Sequence, residues 1–97
     1  MNLQESSKVI VAGKIYVVPG NRTEFIKRSL ESVRRARKAA GCIDFAVSAD
    51  LVESDRVNVF EIWTSMQALH EFRGSGPDDK LTQFIVDVEI GEYLVAE

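Results

Sequence analysis

The sequence contains very few residues of the types that build metal sites and disulfide frameworks. Its 97 residues include one cysteine, Cys42, and one histidine, His70. One cysteine cannot form a disulfide within the chain, which fits a reducing, cytoplasmic location. One cysteine and one histidine are also too few for a zinc finger, a zinc ribbon or a histidine-rich metal site. We therefore expect no bound metal.

Several other signals are missing as well. No G-x-G-x-x-G segment follows the first candidate strand, and the sequence has neither a P-loop nor a G-x-S-x-G elbow. No apolar run approaches about 18 residues, and the polar start of the chain lacks the apolar core of a signal peptide. A formal net charge of -3 argues against a nucleic-acid partner. The remaining classes are an enzyme without a dedicated cofactor and a ligand-binding protein, with no membrane partner.

The length is that of one domain preceded by a short polar arm. We expect residues 1–8 to form a flexible arm and residues 9–97 a single domain. Strand-like and helix-like spacings of apolar residues predict six main elements and one short helical segment. In chain order they are a strand at 9–18, a helix at 22–40, strands at 42–50 and 56–63, a helix after Thr64 or Ser65, a short helical segment at 78–85 and a strand at 86–95.

The first helix has a predicted cap and a predicted apolar face. Asn21 and Glu24 are spaced as a capping box, in which each side chain accepts a hydrogen bond from the other residue's amide. Gly41 is the expected stop. The apolar stripe is expected to contain Phe25, Ile26, Leu30, Val33, Ala36 and Ala40.

This order of elements predicts an α+β fold of the ferredoxin-like β-α-β-β-α-β type. Such a fold has a four-stranded antiparallel sheet with helices on one face. Both faces of the sheet look apolar here, since Val9 and Val11 alternate with Ile10 and Ala12. A sheet with one solvated face would alternate between apolar and polar residues. We therefore expect a second copy of the chain to cover the other face; the alternative is a C-terminal strand or arm folded over it.

A basic run at 34–38 could contact phosphates or an anionic substrate. The interpretation that we favour is a solvated helix face whose cations complement the helix dipole. The run has no interleaved aromatic residues, and the chain is acidic overall.

Three stretches of the sequence resemble one known family. They are the strand end, Pro-Gly turn and helix start at 17–25, the Gly-Cys entry into a strand at 40–45, and the block F-E-I-W-T-S-M-Q-A-L at 60–69. They are similar to the antibiotic biosynthesis monooxygenase (ABM) domain family, which includes cofactor-independent quinol and anthrone monooxygenases. The resemblance as a whole covers roughly residues 8–85. The resemblance implies a homodimer that closes a shared α+β barrel, a small aromatic substrate, O₂ as oxidant, and no cofactor.

The sequence lacks both of the histidines that the family pattern places in this part of the expected site. Family members usually carry a histidine three residues after the Ala-Leu pair, and this chain has Phe72 there. A second histidine is often found in the segment that here reads G-S-G-P-D at 74–78. His70 lies two residues earlier than the first family position, so we expect it on a different face of the helix.

The resemblance nevertheless suggests a set of site residues. The catalytic candidates are Trp63, to stack on the substrate ring and donate its indole N–H, Glu61, as a base if burial raises its pKa, and His70. Glu61 and Trp63 share a strand face because they are two residues apart. The substrate-binding candidates are Tyr16, Phe60, Phe72 and Arg73.

The residues leave three functions open. The first is a cofactor-independent monooxygenase that oxidises a small aromatic quinol or phenol with O₂. The second is an isomerase that transfers a proton on a small carbonyl compound. The third is a dimeric ligand-binding module without catalytic activity, which the missing family histidine favours.

Overall fold

In the computed structural model, which describes residues 7–75 and 80–96, the chain folds as one antiparallel sheet covered by helices. The elements are β1 (Val9–Val17), α1 (Arg22–Arg37), β2 (Cys42–Ala49), β3 (Arg56–Trp63), α2 (Met66–Ser75), a short 3₁₀ helix (Lys80–Phe84) and β4 (Ile85–Leu94). The strands lie in the order β2-β3-β1-β4, and every neighbouring pair is antiparallel. The predicted α+β ferredoxin-like fold is confirmed.

The two faces of the sheet differ in burial. On the face that meets the helices, β1 buries Val9, Val11 and Val17, and β3 buries Glu61 and Trp63. The core on this side forms two clusters, one around Trp63 and the other around Val17. Alternation along the strands sends the intervening side chains to the opposite face, as the sequence predicted for β1 and β3.

The apolar stripe of α1 differs from the prediction at two positions. Leu30 is 47% exposed, and Ser29 is buried in its place. Ala40 is exposed and lies beyond the helix, which ends at Arg37 and not at the predicted position 40. The Ser29 hydroxyl donates a hydrogen bond to the Phe25 carbonyl at 2.8 Å, so this buried polar group is satisfied within the helix. A sequence pattern that counts only apolar residues cannot anticipate a serine on the buried stripe.

The predicted capping box is wrong. Asn21 is the N-cap residue of α1, but its side chain makes no capping hydrogen bond. Glu24 instead pairs with Arg28 one turn later, at 2.5 Å. This i,i+4 ion pair engages the Glu24 carboxylate, which a capping box would need as the acceptor for the Asn21 amide.

The start of α2 is fixed by a cap and by a close approach. Ser65, one of the two predicted caps, accepts a hydrogen bond from the Ala68 amide at 3.1 Å. Gly41 has a φ of +84°, and a Cβ atom on it would lie 2.5 Å from Cβ of Ala68. The Thr64 amide donates to the Gly41 carbonyl at 2.8 Å. Gly41 therefore lets α2 begin directly against the loop that enters β2.

Parts of three predictions fall on residues that the structure does not describe. Residues 1–6 of the predicted arm lie outside the described ranges, whereas Ser7 is buried and the Lys8 carbonyl accepts the Val95 amide at 2.9 Å. The predicted start of the short helical segment at 78–79 and part of the segment at 74–78, where family members often carry a second histidine, also lie outside them. Among the described residues, no helix has the length and apolar content that a membrane crossing needs.

The loop between β2 and β3 is organised by one carboxylate. Oδ2 of Asp50 accepts hydrogen bonds from the amides of Val52 and Glu53 at 3.0 and 2.9 Å. Its Oδ1 accepts one from the Asn58 side-chain amide at 2.9 Å. Arg22, at the start of α1, donates to the carbonyl oxygens of Asp50 and Glu53 at 3.0 and 2.8 Å. The loop is thus held by polar contacts, although Val52 itself is exposed.

These donors predict a specific dependence of stability on pH. The hydrogen bonds from Glu53, Asn58 and Val52 lower the pKa of Asp50 from 3.8 to about 2. A carboxyl group with a lowered folded-state pKa stabilises the fold above its unfolded pKa, and this contribution is lost as the pH falls through the folded value. We expect Asp50→Asn to lower the free energy of unfolding near neutral pH. The deficit should shrink between about pH 4 and pH 2 in urea titrations followed by circular dichroism.

Asp55→Asn is the matched control. Its carboxylate belongs to the same loop, but it accepts no hydrogen bond from any residue in the described ranges. A deficit of equal size and equal pH dependence in both variants would contradict the role assigned to Asp50.

Candidate active site

A buried carboxylate and a buried indole form a hydrogen-bonded pair near the end of β3. Nε1 of Trp63 donates to Oε1 of Glu61 at 2.9 Å. Trp63 is 0% exposed and Glu61 is 8% exposed, so water has little access to either group. The two residues are neighbours because alternate residues of a strand point to the same face. The pair satisfies the indole N–H, which has no other partner among the described residues.

Aromatic side chains cover this pair from the helix side. Phe72 of α2 stacks on Trp63 with ring centroids 5.2 Å apart and planes inclined by 33°. Phe45 of β2 meets the edge of Phe72 at 6.0 Å. The Arg35 guanidinium of α1 lies 4.3 Å from the centroid of the Phe72 ring, within the range of a cation–π contact. Phe72 is therefore held between a cation and the indole.

A charged pair lies beside the buried one. Val11 of β1 is opposite Glu61 in β3 and opposite Glu92 in β4, so both carboxylates lie in one row on the helix side of the sheet. Arg73 of α2 binds Glu92, with Nη1 2.6 Å from Oε2. Unlike the buried pair, Arg73 and Glu92 are partly exposed, with side chains 45% and 37% accessible.

This environment raises the pKa of Glu61. Burial is the largest cause, because it penalises the charged carboxylate, and the negative charge of Glu92 acts in the same direction. The hydrogen bond from Trp63 and the positive charge of Arg73 act against it. A carboxyl group with a raised pKa binds a proton more readily, which suits proton transfer near neutral pH.

Cys42 lies next to this site. It is opposite Trp63 in the β2–β3 pairing, and a register shift before Asp44 brings it and Phe45 to the helix side. Burial, followed by the charges of Glu61 and Asp44, raises the pKa of the Cys42 thiol. A raised pKa reduces the thiolate fraction, so the thiol behaves as a small packing group.

The structure brings together four of the seven predicted site residues. Glu61, Trp63, Phe72 and Arg73 lie on the helix side of the sheet, in or beside one cluster. His70 is an exposed residue of α2, with no hydrogen bond or ion pair to any described residue.

The other two predicted residues lie on the opposite face of the sheet. The Tyr16 hydroxyl donates to the Glu53 carboxylate at 3.1 Å. Phe60 is 40% exposed and lies between Ala12 and Ala46 in the pairing of β3 with its two neighbours. The resemblance suggested Phe60 as a substrate-binding residue, but strand alternation directs it away from the site.

Two residues of this cluster were missed by the sequence analysis. The position of Glu92 in this cluster is set by the pairing of β4 with β1. Val11 of β1 lies opposite Glu92 on one side and opposite Glu61 on the other. Arg35 was interpreted as part of a solvated basic face, yet it stacks on Phe72. The helical spacing of the basic run alone carries no information on which arginine meets an aromatic ring.

The opposite end of the sheet has an open cavity of about 310 Å³. Its lining residues are Gly20, Arg22, Thr23, Ser54 and Asp55. The Arg22 guanidinium is already bound to carbonyl oxygens of the β2–β3 loop. Because this cavity lacks a buried titratable group, the Glu61–Trp63 cluster is the stronger candidate for chemistry. In the described ranges, no three His, Cys, Asp or Glu side chains are grouped so that they could hold a metal ion.

Comparison with known proteins gives one family match. The model of the family described as antibiotic biosynthesis monooxygenase matches residues 8–80. An uncharacterized protein of Synechocystis sp. is 33% identical in an alignment that covers 92% of this chain. The chain spans 64% of the length of that relative.

Solved structures share the fold. A candidate antibiotic biosynthesis monooxygenase of Deinococcus radiodurans has a TM-score of 0.75 at 22% identity, covering 92% of this chain and 93% of that one. A second candidate, from Chloroflexus aurantiacus, has a TM-score of 0.73 at 21% identity, with coverages of 94% and 95%. A conserved protein of Methanosarcina mazei has a TM-score of 0.79 at 23% identity, with coverages of 91% and 92%.

The raised pKa of Glu61 predicts that its charge destabilises the fold. A carboxyl group whose folded-state pKa is raised makes the fold less stable as the pH rises from its unfolded to its folded pKa. We expect Glu61→Gln to raise the free energy of unfolding at neutral pH, because the amide oxygen can still accept the Trp63 N–H. The gain should vanish below the ordinary glutamate pKa of 4.5. Urea unfolding across this pH range measures both effects, and a variant that is less stable at neutral pH would contradict the prediction.

Proposed function

The chain belongs to the antibiotic biosynthesis monooxygenase family, and on that premise we propose that it oxidises a small aromatic quinol or phenol with O₂ and without a cofactor. The observation that carries the proposal is the buried Glu61 carboxylate, which lies 2.9 Å from the Trp63 indole nitrogen and close to the charge of Arg73. A base, an aromatic wall and a cation are the three groups that such a reaction needs.

Proton removal from the substrate is assigned to Glu61. A buried carboxylate with a raised pKa accepts a proton from an acidic phenol or an activated methylene more readily than an exposed one. The indole N–H of Trp63 holds the carboxylate in a fixed position through its hydrogen bond. Because Glu61 is 8% exposed, few water molecules compete for its proton.

Arg73 and the aromatic rings are assigned to the substrate anion. The guanidinium supplies a positive charge beside the site, and charge-assisted hydrogen bonds from arginine suit a phenolate or enolate oxygen. Phe72 and Trp63, which cover each other here, are assigned to stack against an aromatic substrate once their rings separate.

The electrons for oxygen reduction come from the substrate itself. For an anthrone, the methylene carbon loses two hydrogens and gains one oxygen atom as a carbonyl group. The second oxygen atom of O₂ leaves with those two hydrogens as water, so O₂ accepts the four electrons that the carbon gives up. The protein contributes proton removal, orientation and charge stabilisation.

Oxygen uptake with anthrone and 1,4-naphthohydroquinone tests the activity. We expect Glu61→Gln to lower kcat by about 100-fold, a typical loss for a general base, while the variant stays folded. Trp63→Phe should also lower turnover, because the indole N–H that orients Glu61 is lost. An oxygen electrode measures the rates, corrected for spontaneous oxidation of each substrate.

Glu89→Gln is the matched control for Glu61→Gln. Glu89 is an exposed glutamate of β4, paired with Lys14 at 3.7 Å on the other face of the sheet. Its variant should keep the wild-type rate. Uptake that is equal in the wild type, Glu61→Gln and Trp63→Phe would contradict the assigned site, and absence of uptake with both substrates would count against the proposed reaction.

Phe72 favours a second candidate, a ligand-binding module without turnover. Its ring lies against Trp63 at the position where the family resemblance leads us to expect a histidine. Such a module would bind the same aromatic compounds tightly but release them unchanged, with or without O₂. Product formation under argon would instead favour the proton-transfer isomerase.

We also propose that the chain functions as a homodimer through the open face of the sheet. One row of this face is formed by Ala46, Phe60, Ala12 and Gly91, so a single large ring stands among small residues. Phe60 is 40% exposed and Tyr93, in the next row, is 57% exposed. A two-fold interface would place the Phe60 ring of each copy over the small residues of the other.

A charge placed on this face should prevent association. We expect Phe60→Glu to convert a dimer into a monomer, because the carboxylate would be buried between two apolar surfaces. Leu51→Glu is the control, since Leu51 is fully exposed in the β2–β3 loop. Sedimentation equilibrium distinguishes the states, and a monomeric wild type, or a dimeric Phe60→Glu variant, would contradict the interface.

A further inference from the structure

The Arg73–Glu92 ion pair connects α2 to β4 beside the buried Glu61–Trp63 pair. Arg73 Nη1 lies 2.6 Å from Oε2 of Glu92, and both side chains are partly exposed. Their charges also act on Glu61, with Arg73 lowering and Glu92 raising its pKa. The ion pair is therefore close to the site but nearer to solvent.

The buried pair cannot meet a ligand in the arrangement described here. Trp63 is 0% exposed, and the ring of Phe72 covers it at 5.2 Å. Phe72 and Arg73 are consecutive residues of α2, so a movement that lifts Phe72 from Trp63 also moves Arg73. Access to Trp63 is thus coupled to the ion pair between Arg73 and Glu92.

Glu92 and a ligand anion would occupy the same place. In the exposed part of the site, the carboxylate of Glu92 takes the guanidinium that the proposed reaction needs for the substrate anion. The guanidinium has several N–H donors but only one positive charge. A ligand anion bound beside Glu92 would therefore leave one negative charge uncompensated, so the anion binds best when Glu92 has left.

We propose that Glu92 is an autoinhibitory residue: its carboxylate holds Arg73, and with it α2, over Trp63 until the anion of an aromatic ligand replaces it. With an anionic ligand, the Arg73 guanidinium is paired both before and after binding. A neutral aromatic ligand would also have to open the site, but it offers no replacement for the lost Arg73–Glu92 ion pair. The ligand class is an aromatic monoanion. The inference rests on the proposed function only for the location of the site, because closure and exchange require no turnover.

Closure is tested without any ligand. The chain has one tryptophan, so the quenching of tryptophan emission by acrylamide reports on Trp63 alone. We expect Glu92→Gln and Arg73→Gln to raise the quenching constant by about two- to fivefold, the effect of losing one partly exposed ion pair. Glu89→Gln, which breaks an ion pair of the same strand on the other face, should leave it unchanged. Unchanged quenching in both Glu92→Gln and Arg73→Gln would overturn the closing role.

Exchange is tested with two probes of similar shape, 2-naphthoate and the neutral 2-naphthamide. Binding is followed by the single indole N–H cross-peak in ¹H–¹⁵N spectra. Because Glu92 opposes both probes, Glu92→Gln should bind each about two- to fivefold more tightly and keep the preference for the anion. Arg73→Gln should lose that preference. Affinities unchanged by Glu92→Gln, or a preference for 2-naphthoate that survives in Arg73→Gln, would overturn the exchange, whatever the outcome of the oxygen-uptake assay.

Discussion

The hydrogen bond between the Trp63 indole and the Glu61 carboxylate is the interaction on which the rest of the site depends. A buried carboxylate is costly unless a donor satisfies it, and the indole N–H is a donor with no acceptor function of its own. The bond satisfies both groups inside the apolar cluster of β1, β3 and α2. It leaves Glu61 with a raised pKa, because one hydrogen bond does not offset the loss of water.

Stability and reactivity oppose each other at Glu61. The same burial that makes its charged form costly for the fold makes it a better proton acceptor. Gly41 supports this arrangement from a distance, because the space it leaves lets α2 start against the β2 entry and carry Phe72 onto Trp63. Arg73, one residue further, adds the positive charge that partly offsets the burial of Glu61.

Sequence periodicity predicted the element order, the antiparallel sheet and the same-face relation of Glu61 and Trp63. These features follow from local spacing along one segment. Glu92 could not be predicted in this way, since its position beside Glu61 arises from the register of β4 on β1. The failures on α1 have local causes that hydrophobic pattern ignores: Ser29 satisfies its hydroxyl within the helix, and Glu24 prefers Arg28 to the cap. Phe60 was grouped with the site by the family resemblance, although strand alternation places it on the other face from Trp63.

The β2–β3 loop has a consequence for how this protein can change over evolutionary time. Its shape is set by the Asp50 carboxylate and by backbone amides, whereas the side chains of Leu51 and Val52 are 100% and 90% exposed. Folding therefore places almost no selective pressure on the identity of these two side chains. Among descendants of this sequence, positions 51 and 52 should drift freely while position 50 stays acidic. If aliphatic residues were preserved at positions 51 and 52, the cause would be an interaction with another molecule and not the stability of the fold.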